Sequence, residues 1–142
     1  MRAVGFKEFG DPEVLEVMDI PEVYANQGEI RIKNYASAVN PTDIVSRSGL
    51  IAQFRKDYPL PAVPGMDISG IVDQVGEGVE TGVSIGDQVM GMVIPNALHG
   101  AYSEQITLNQ FAVVKAPKGF SFVESATLPM NGLTARLSLD LL

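Results

Sequence analysis

"PGMDISGIVDQVGEGVE" spans Pro64 to Glu80, and its glycines stand at 65, 70, 76 and 78. Glycines beside valines suit either a phosphate cradle or the tight turns of a small β-structure. A dinucleotide fingerprint needs a strand, then G-x-G-x-x-G, then a helix whose N-terminus faces the pyrophosphate. Here Gly76, Gly78 and Gly82 miss that spacing by one position, and "VSIGDQVMG" follows, which reads as another strand. The glycines therefore read as turns between strands. Gly70, inside the strand Asp67 to Val75, marks a bend or bulge at a barrel corner.

Outward from this stretch, short strands and turns continue. "RAVGFKEF" and "VLEVMDI" read as two strands joined by "GDPE". "EIRIKNYASAV" alternates, with Ile30, Ile32, Asn34 and Ala36 on a core face and Arg31, Lys33 and Tyr35 on a wet one. Pro41 as a first helical residue and Gly49 as a stop predict a short helix from Thr42 to Ser48. "IAQFRKDYPLPAVPG" is a proline-rich loop or lid. "QVMGMVI", "GAYSEQITL" and "FAVVKAP" read as further strands. About seven strands at this spacing predict a barrel or a sandwich. The pattern then turns helical. Ser121 and Glu124 form a capping box, Pro129 breaks that helix, and Leu133, Leu137 and Leu141 recur at helical spacing beyond it.

Composition excludes several classes of function. The 142 residues are 46% hydrophobic, enough for one domain with a core. The net charge of −7, with no basic cluster longer than "FRKDY", argues against nucleic acid and anionic membrane surfaces. No apolar run approaches the ~18 residues of a membrane span. There is no cysteine and one histidine, His99, which reads as a loop residue. Zinc wants three or four Cys, His or carboxylate ligands, and this chain has few to offer. The lack of cysteine fits the cytoplasm.

Three polar positions stand out. Asp87 reads as a turn residue bonding nearby backbone N–H groups. Asp67 opens a buried strand, so its carboxylate needs a partner, and Arg47 is the nearest by type. Asp67 reads as structural ahead of functional at this point. Asn40, Thr42 and Asp43 cluster where a strand meets a helix, which suits either a site or a helix cap.

Five ordered motifs resemble those of the medium-chain dehydrogenases/reductases, in the zinc-independent quinone oxidoreductase branch. They are "FGDPEVLEV", "ASAVNPTDIVSRSG", "PAVPGMDISGIVDQVGEGV" with "GDQVMG", "GAYSEQI" and "ESATLPMNGLTA". The resemblance implies a mainly β fold, a GroES-like β-barrel with short helices, in residues 1–125. Residues 126–142 would begin the helical connection towards a Rossmann domain that these residues do not contain. In the zinc-using members, a metal-binding Cys and His occupy the places held here by Asn40 and Met66, so the resemblance implies chemistry without zinc. It implies NADPH as cofactor and hydride transfer to a quinone or enone. Asn40 and Asp43 would face the nicotinamide and substrate, Thr134 would contact the nicotinamide carboxamide region, and Arg47 would brace the site. The tyrosine that some members carry after S-G-L is replaced by Ile51, so that phenol is missing. The expectations include a chain inactive by itself, weak NADPH binding, and a homodimer through the exposed C-terminal helix. The alternative expectation is a stand-alone barrel for binding or assembly.

Overall fold

The computed structural model describes residues 1–53 and 57–141. Phe54, Arg55 and Lys56, the start of the "FRKDY" run, and Leu142 lie outside the described residues. Among the described residues seven strands form: β1 Arg2–Gly5, β2 Glu16–Asp19, β3 Glu29–Ala36, β4 Asp67–Val75, β5 Gln88–Met92, β6 Gln105–Asn109 and β7 Val113–Lys115. Three α-helices are α1 Pro41–Arg47, α2 Phe122–Ala126 and α3 Pro129–Asp140. β1 and β2 form a two-stranded ribbon, and the others form a sheet in the order β6-β3-β4-β5-β7. All the strand pairings are antiparallel. The ribbon is stitched to the rest by Val4 N–H to the Tyr102 carbonyl (2.7 Å) and by a reciprocal pair between Phe6 and Ala62, 2.9 Å each way. That pair pins the end of the proline-rich loop, whose start forms a short 3-10 turn at Leu50–Gln53.

The two-residue period of β3 places Ile30 and Ile32 in the core, both at 0% exposure, against Ile68, Val72, Val89 and Ile106. Each such side chain contributes roughly 1.5–3 kcal/mol on burial. The alternation predicts a wet opposite face, and Lys33 and Tyr35 are exposed there while Arg31 is not. Arg31 is largely buried because it reaches Asp73 (2.9 Å) and the Val23 carbonyl (3.0 Å). Asn34 is tolerated on the core face because its amide donates to the Ala101 carbonyl (2.7 Å) and to Ser37 (2.9 Å).

Register shifts between Arg31 and Ile32 and between Asn34 and Ala36 bend β3 against β4. Gly70 sits opposite Asn34, and a Cβ there would run into the Lys33 carbonyl. Its place is thus set by a close backbone approach at the bulge. Gly78 and Gly82 adopt φ of 76° and 71°, the left-handed turn conformation. No helix follows them, only β5.

Several strands are shorter than their sequence patterns. Residues 100–104 are not strand; they carry the bridge between Ala3 and Ser103. Residues 110–112 form a 3-10 turn, and β7 begins after it. The capping box at Ser121 and Glu124 opens α2 as its residues predict. α2 ends at Ala126, and Pro129 begins α3 rather than merely breaking a helix. Proline suits that first position because its missing N–H had no intrahelical acceptor. Tyr35 of β3 stacks on Phe122 of α2 at 4.7 Å, which seats α2 on the sheet. No helix among the described residues is long and apolar enough to cross a membrane.

Candidate functional site

The strand β3 runs out at Ala36, and four residues later Asn40 becomes the N-cap of α1. The Asp43 carboxylate reaches back to the Asn40 backbone N–H at 2.8 Å, a capping-box contact at the third helical position. Its other oxygen accepts from the Gly65 N–H at 2.9 Å. The Tyr102 hydroxyl donates to the first oxygen at 3.2 Å. One buried carboxylate thus joins helix α1, the loop before β4 and the segment after β5. A small cavity of about 110 Å³ opens beside it, lined by Val39, Asp43, Ile44, Arg47 and Tyr102 among others.

Asp67 is 1% exposed and carries two short contacts. One oxygen accepts from the Asn40 side-chain amide at 2.6 Å, the other from the Met130 backbone N–H at 2.6 Å. Both are at the short limit for N–H···O contacts, which span ~2.7–3.2 Å. The partner is therefore not Arg47, as residue type alone suggests. Arg47 instead donates to the Gly10 carbonyl, bracing α1 against the segment that leads to β2. An arginine tied there leaves the Asp67 carboxylate to neutral N–H donors.

Asn40 and Asp43 are brought together with Asp67 in one buried cluster. Thr134 lies apart from them, exposed on α3, and its backbone carbonyl accepts from the Ser138 hydroxyl at 2.8 Å. It stands one helical turn beyond Met130, the residue whose N–H reaches Asp67. Three further residues belong to the site. The Thr42 hydroxyl donates to the Met66 thioether at 3.0 Å, so the two positions beside Asn40 and Asp67 touch. Tyr102 supplies a phenol, and only the fold brings it to Asp43. Burial first, then the charge of Asp43 and the bond to it, push the Tyr102 phenol well above its ordinary value.

Asp87 is a turn residue as its context predicts: it accepts from the Ser84 N–H at 2.8 Å and pairs with Lys115 at 2.9 Å. The Lys115 contact, followed by the Ser84 bond, holds its carboxyl below the usual range. His99 lies in a loop closed by two backbone bonds with Asn96, at 2.8 and 2.9 Å. Burial lowers its pKa. Among the described residues, no group of three or more His, Cys, Asp or Glu side chains is placed to hold a metal ion.

The chain belongs to the alcohol dehydrogenase GroES-like domain family, whose model matches residues 26–132. It is 34% identical to the 2-methylene-furan-3-one reductase of Solanum lycopersicum, across 99% of this chain and 37% of that protein. It is 34% identical to a quinone oxidoreductase of Pseudomonas aeruginosa, across 95% of this chain and 39% of that protein. The crystal structure of Escherichia coli quinone oxidoreductase complexed with NADPH superposes with a TM-score of 0.81 at 30% identity, covering 98% of this chain and 40% of that one. The chain thus spans about two fifths of the length of the relatives it matches.

Proposed function

We propose that these residues are the catalytic barrel of a zinc-independent, NADPH-dependent reductase of quinones or conjugated enones, and that they reduce nothing by themselves. The observation that carries this reading is likeness along nearly the whole chain to proteins named as quinone and furanone reductases. Asn40 and Met66 add to it. They hold the places of zinc ligands in the zinc-using relatives, and their present contacts are with Asp67 and Thr42.

The cofactor, when bound, supplies the hydride. The work of this chain is to orient and to exclude water. Asn40 gives one amide N–H to Asp67, and the second is the donor we assign to the nicotinamide or to the substrate oxygen that gains charge. Asp43, saturated by Asn40, Gly65 and Tyr102, holds the site's backbone in shape. Thr134 is assigned to the carboxamide side. The described residues are assigned only that end of a dinucleotide: the Gly119 turn leads into α2, but the N-terminus of α2 is taken by the Ser121–Glu124 capping box. Residues 1–125 are the barrel, and 126–142 begin the connection to the part that would hold the rest of the cofactor. The setting we assign is cytoplasmic, and the exposed α3 would let isolated chains form a homodimer.

The test has two arms. The protein spanning the full length of its relatives is expected to oxidise NADPH in the presence of a quinone or an enone, with no stoichiometric zinc by elemental analysis. The 142-residue chain is expected to bind NADPH more weakly than about 1 μM, roughly 8 kcal/mol of binding, in a fluorescence titration. Stoichiometric zinc, or tight binding by this chain, overturns the reading.

A further inference from the structure

We infer that Asp67 is a positioning residue that makes the seat of α3 and the orientation of the Asn40 amide a single mechanical unit. The two arms of its carboxylate end on different parts of the molecule. One holds the Asn40 side chain, at the N-cap of α1 (2.6 Å). The other holds the Met130 N–H, in the first turn of α3 (2.6 Å).

The second arm matters because of how α3 begins. Its N-cap residue, Leu128, has no side-chain oxygen to offer, and Pro129 follows it. The first N–H groups of a helix have no intrahelical acceptor, so Met130 depends on an outside one. A carboxylate at that place also meets the positive end of the helix dipole. The rest of α3 is held lightly: residues 131–141 are all exposed. Its other polar bonds, Asn131 to Thr127, Ser138 to Thr134 and Arg136 to Asp140, are local. Its place relative to the barrel therefore leans on Asp67 and on limited contact with β4 and β5.

Each arm constrains the other. If α3 shifts, the carboxylate rotates, and the Asn40 amide loses its acceptor or follows it. If a bound group turns the Asn40 amide, the Met130 N–H loses part of its cap. The coupling is reciprocal by thermodynamic necessity. Anything that packs on α3 would then set the Asn40 amide, and anything bound at Asn40 would set α3. The catalytic consequence rests on the proposed role of Asn40; the link itself rests on the two hydrogen bonds alone.

Amide hydrogen exchange on the 142-residue chain tests this without cofactor or substrate. The Met130 N–H is expected to be protected. Asn40→Ala, which removes the bond to Asp67 and changes no residue of α3, is expected to speed exchange at Met130 at least fivefold while β3–β4 amides keep their rates. Asp67→Asn places an NH₂ against one of the two donors. It is expected to raise exchange at Met130 at least tenfold or to shift the Asn40 side-chain amide resonances. An unchanged Met130 rate in a folded Asn40→Ala chain overturns the inference, and that variant decides alone if Asp67→Asn does not fold. Failure of the full-length protein to reduce quinones would count against the proposed function and leave these exchange rates untouched.

Discussion

The Tyr102 hydroxyl donates to the Asp43 carboxylate at 3.2 Å, closing a three-donor shell completed by the Asn40 and Gly65 N–H groups. The two backbone donors are buried, so each must keep an acceptor. Asp43→Ala strands both. We expect it to lower unfolding free energy by on the order of 3 kcal/mol in urea titrations, from about 1–3 kcal/mol per stranded buried group. Tyr102→Phe removes a donor without stranding a backbone group and is expected to cost about 1 kcal/mol. Equal losses in the two variants would contradict this hierarchy.

The same pair sets a pH dependence. Burial, then Asp43, raises the Tyr102 phenol above its ordinary value. An unfolded chain releases that proton near pH ~10, while the folded chain keeps it. Above that pH the unfolded state binds fewer protons, so stability falls as pH rises. Stability from this source is fully present below pH ~10. His99 works at the other end. Burial lowers its pKa, so below pH ~6.5 the unfolded chain takes up a proton that the folded chain resists, and stability falls as pH falls. Thermal melts of the chain and of Tyr102→Phe across alkaline pH check the first claim. The substituted chain is expected to show a shallower alkaline loss.

Gly70 faces the Lys33 carbonyl at the β3–β4 bulge, with no room for a Cβ. Gly70→Ala must push two strands apart or flatten the bulge. Overpacking of this kind costs about 1–3 kcal/mol. Denaturant midpoints compared with Gly86→Ala separate space from backbone conformation. Gly86 has φ of 91° and open space around it, so its loss is conformational only. A Gly70→Ala chain as stable as the parent would mean that the bulge yields freely.

How far the sequence carried the fold and the site follows from where each partner lies. Ile30 and Ile32 were legible because a period of two is local. Arg31 was not, because its acceptor Asp73 is 42 positions away. The cap at Ser121 and Glu124 was legible because both partners sit within one turn. The acceptor role of Asp67 was legible in kind, since a buried carboxylate must be satisfied. Its partners were not, because one is a backbone N–H, at Met130, and every residue but proline carries that group. Tyr102 stood inside a quoted motif, yet its link to Asp43 spans 59 positions and needs the ribbon and sheet to be folded first. The resemblance carried Asn40 and Asp43, while residue chemistry alone left a helix cap and a site equally open. The structure places both residues in a capping arrangement that is also the buried cluster.

The last expectation concerns α3. Leu133, Leu137 and Leu141 follow one another at i, i+4 spacing and are 43%, 55% and 88% exposed. Four residues of spacing puts them on one side of the helix. Near its foot, Pro129 and Leu133 meet Met92, Ile94, Phe111 and Val114 around a groove of about 500 Å³. Ile94 and Phe111 are themselves among the most exposed apolar side chains. Contiguous apolar surface of this kind tends to find a partner. In a solution of this chain alone, the partner at hand is a second copy, and a two-fold pairing of α3 with α3 buries the leucines of both at once. Each leucine removed from water is worth roughly 1.5–3 kcal/mol. Six leucines across such a pair, about 9–18 kcal/mol at full burial, are comparable with the ~4–15 kcal/mol that association costs. The net charge of −7 per chain opposes pairing, but salt screens it beyond about 10 Å at 0.1 M. The expected outcome is a weak dimer that strengthens with salt. Sedimentation equilibrium at several ionic strengths checks it, beside a chain carrying Leu137→Ser and Leu141→Ser, which is expected to stay monomeric. Two monomers at high micromolar concentration would mean that the leucine face is too narrow to offset the entropy of association.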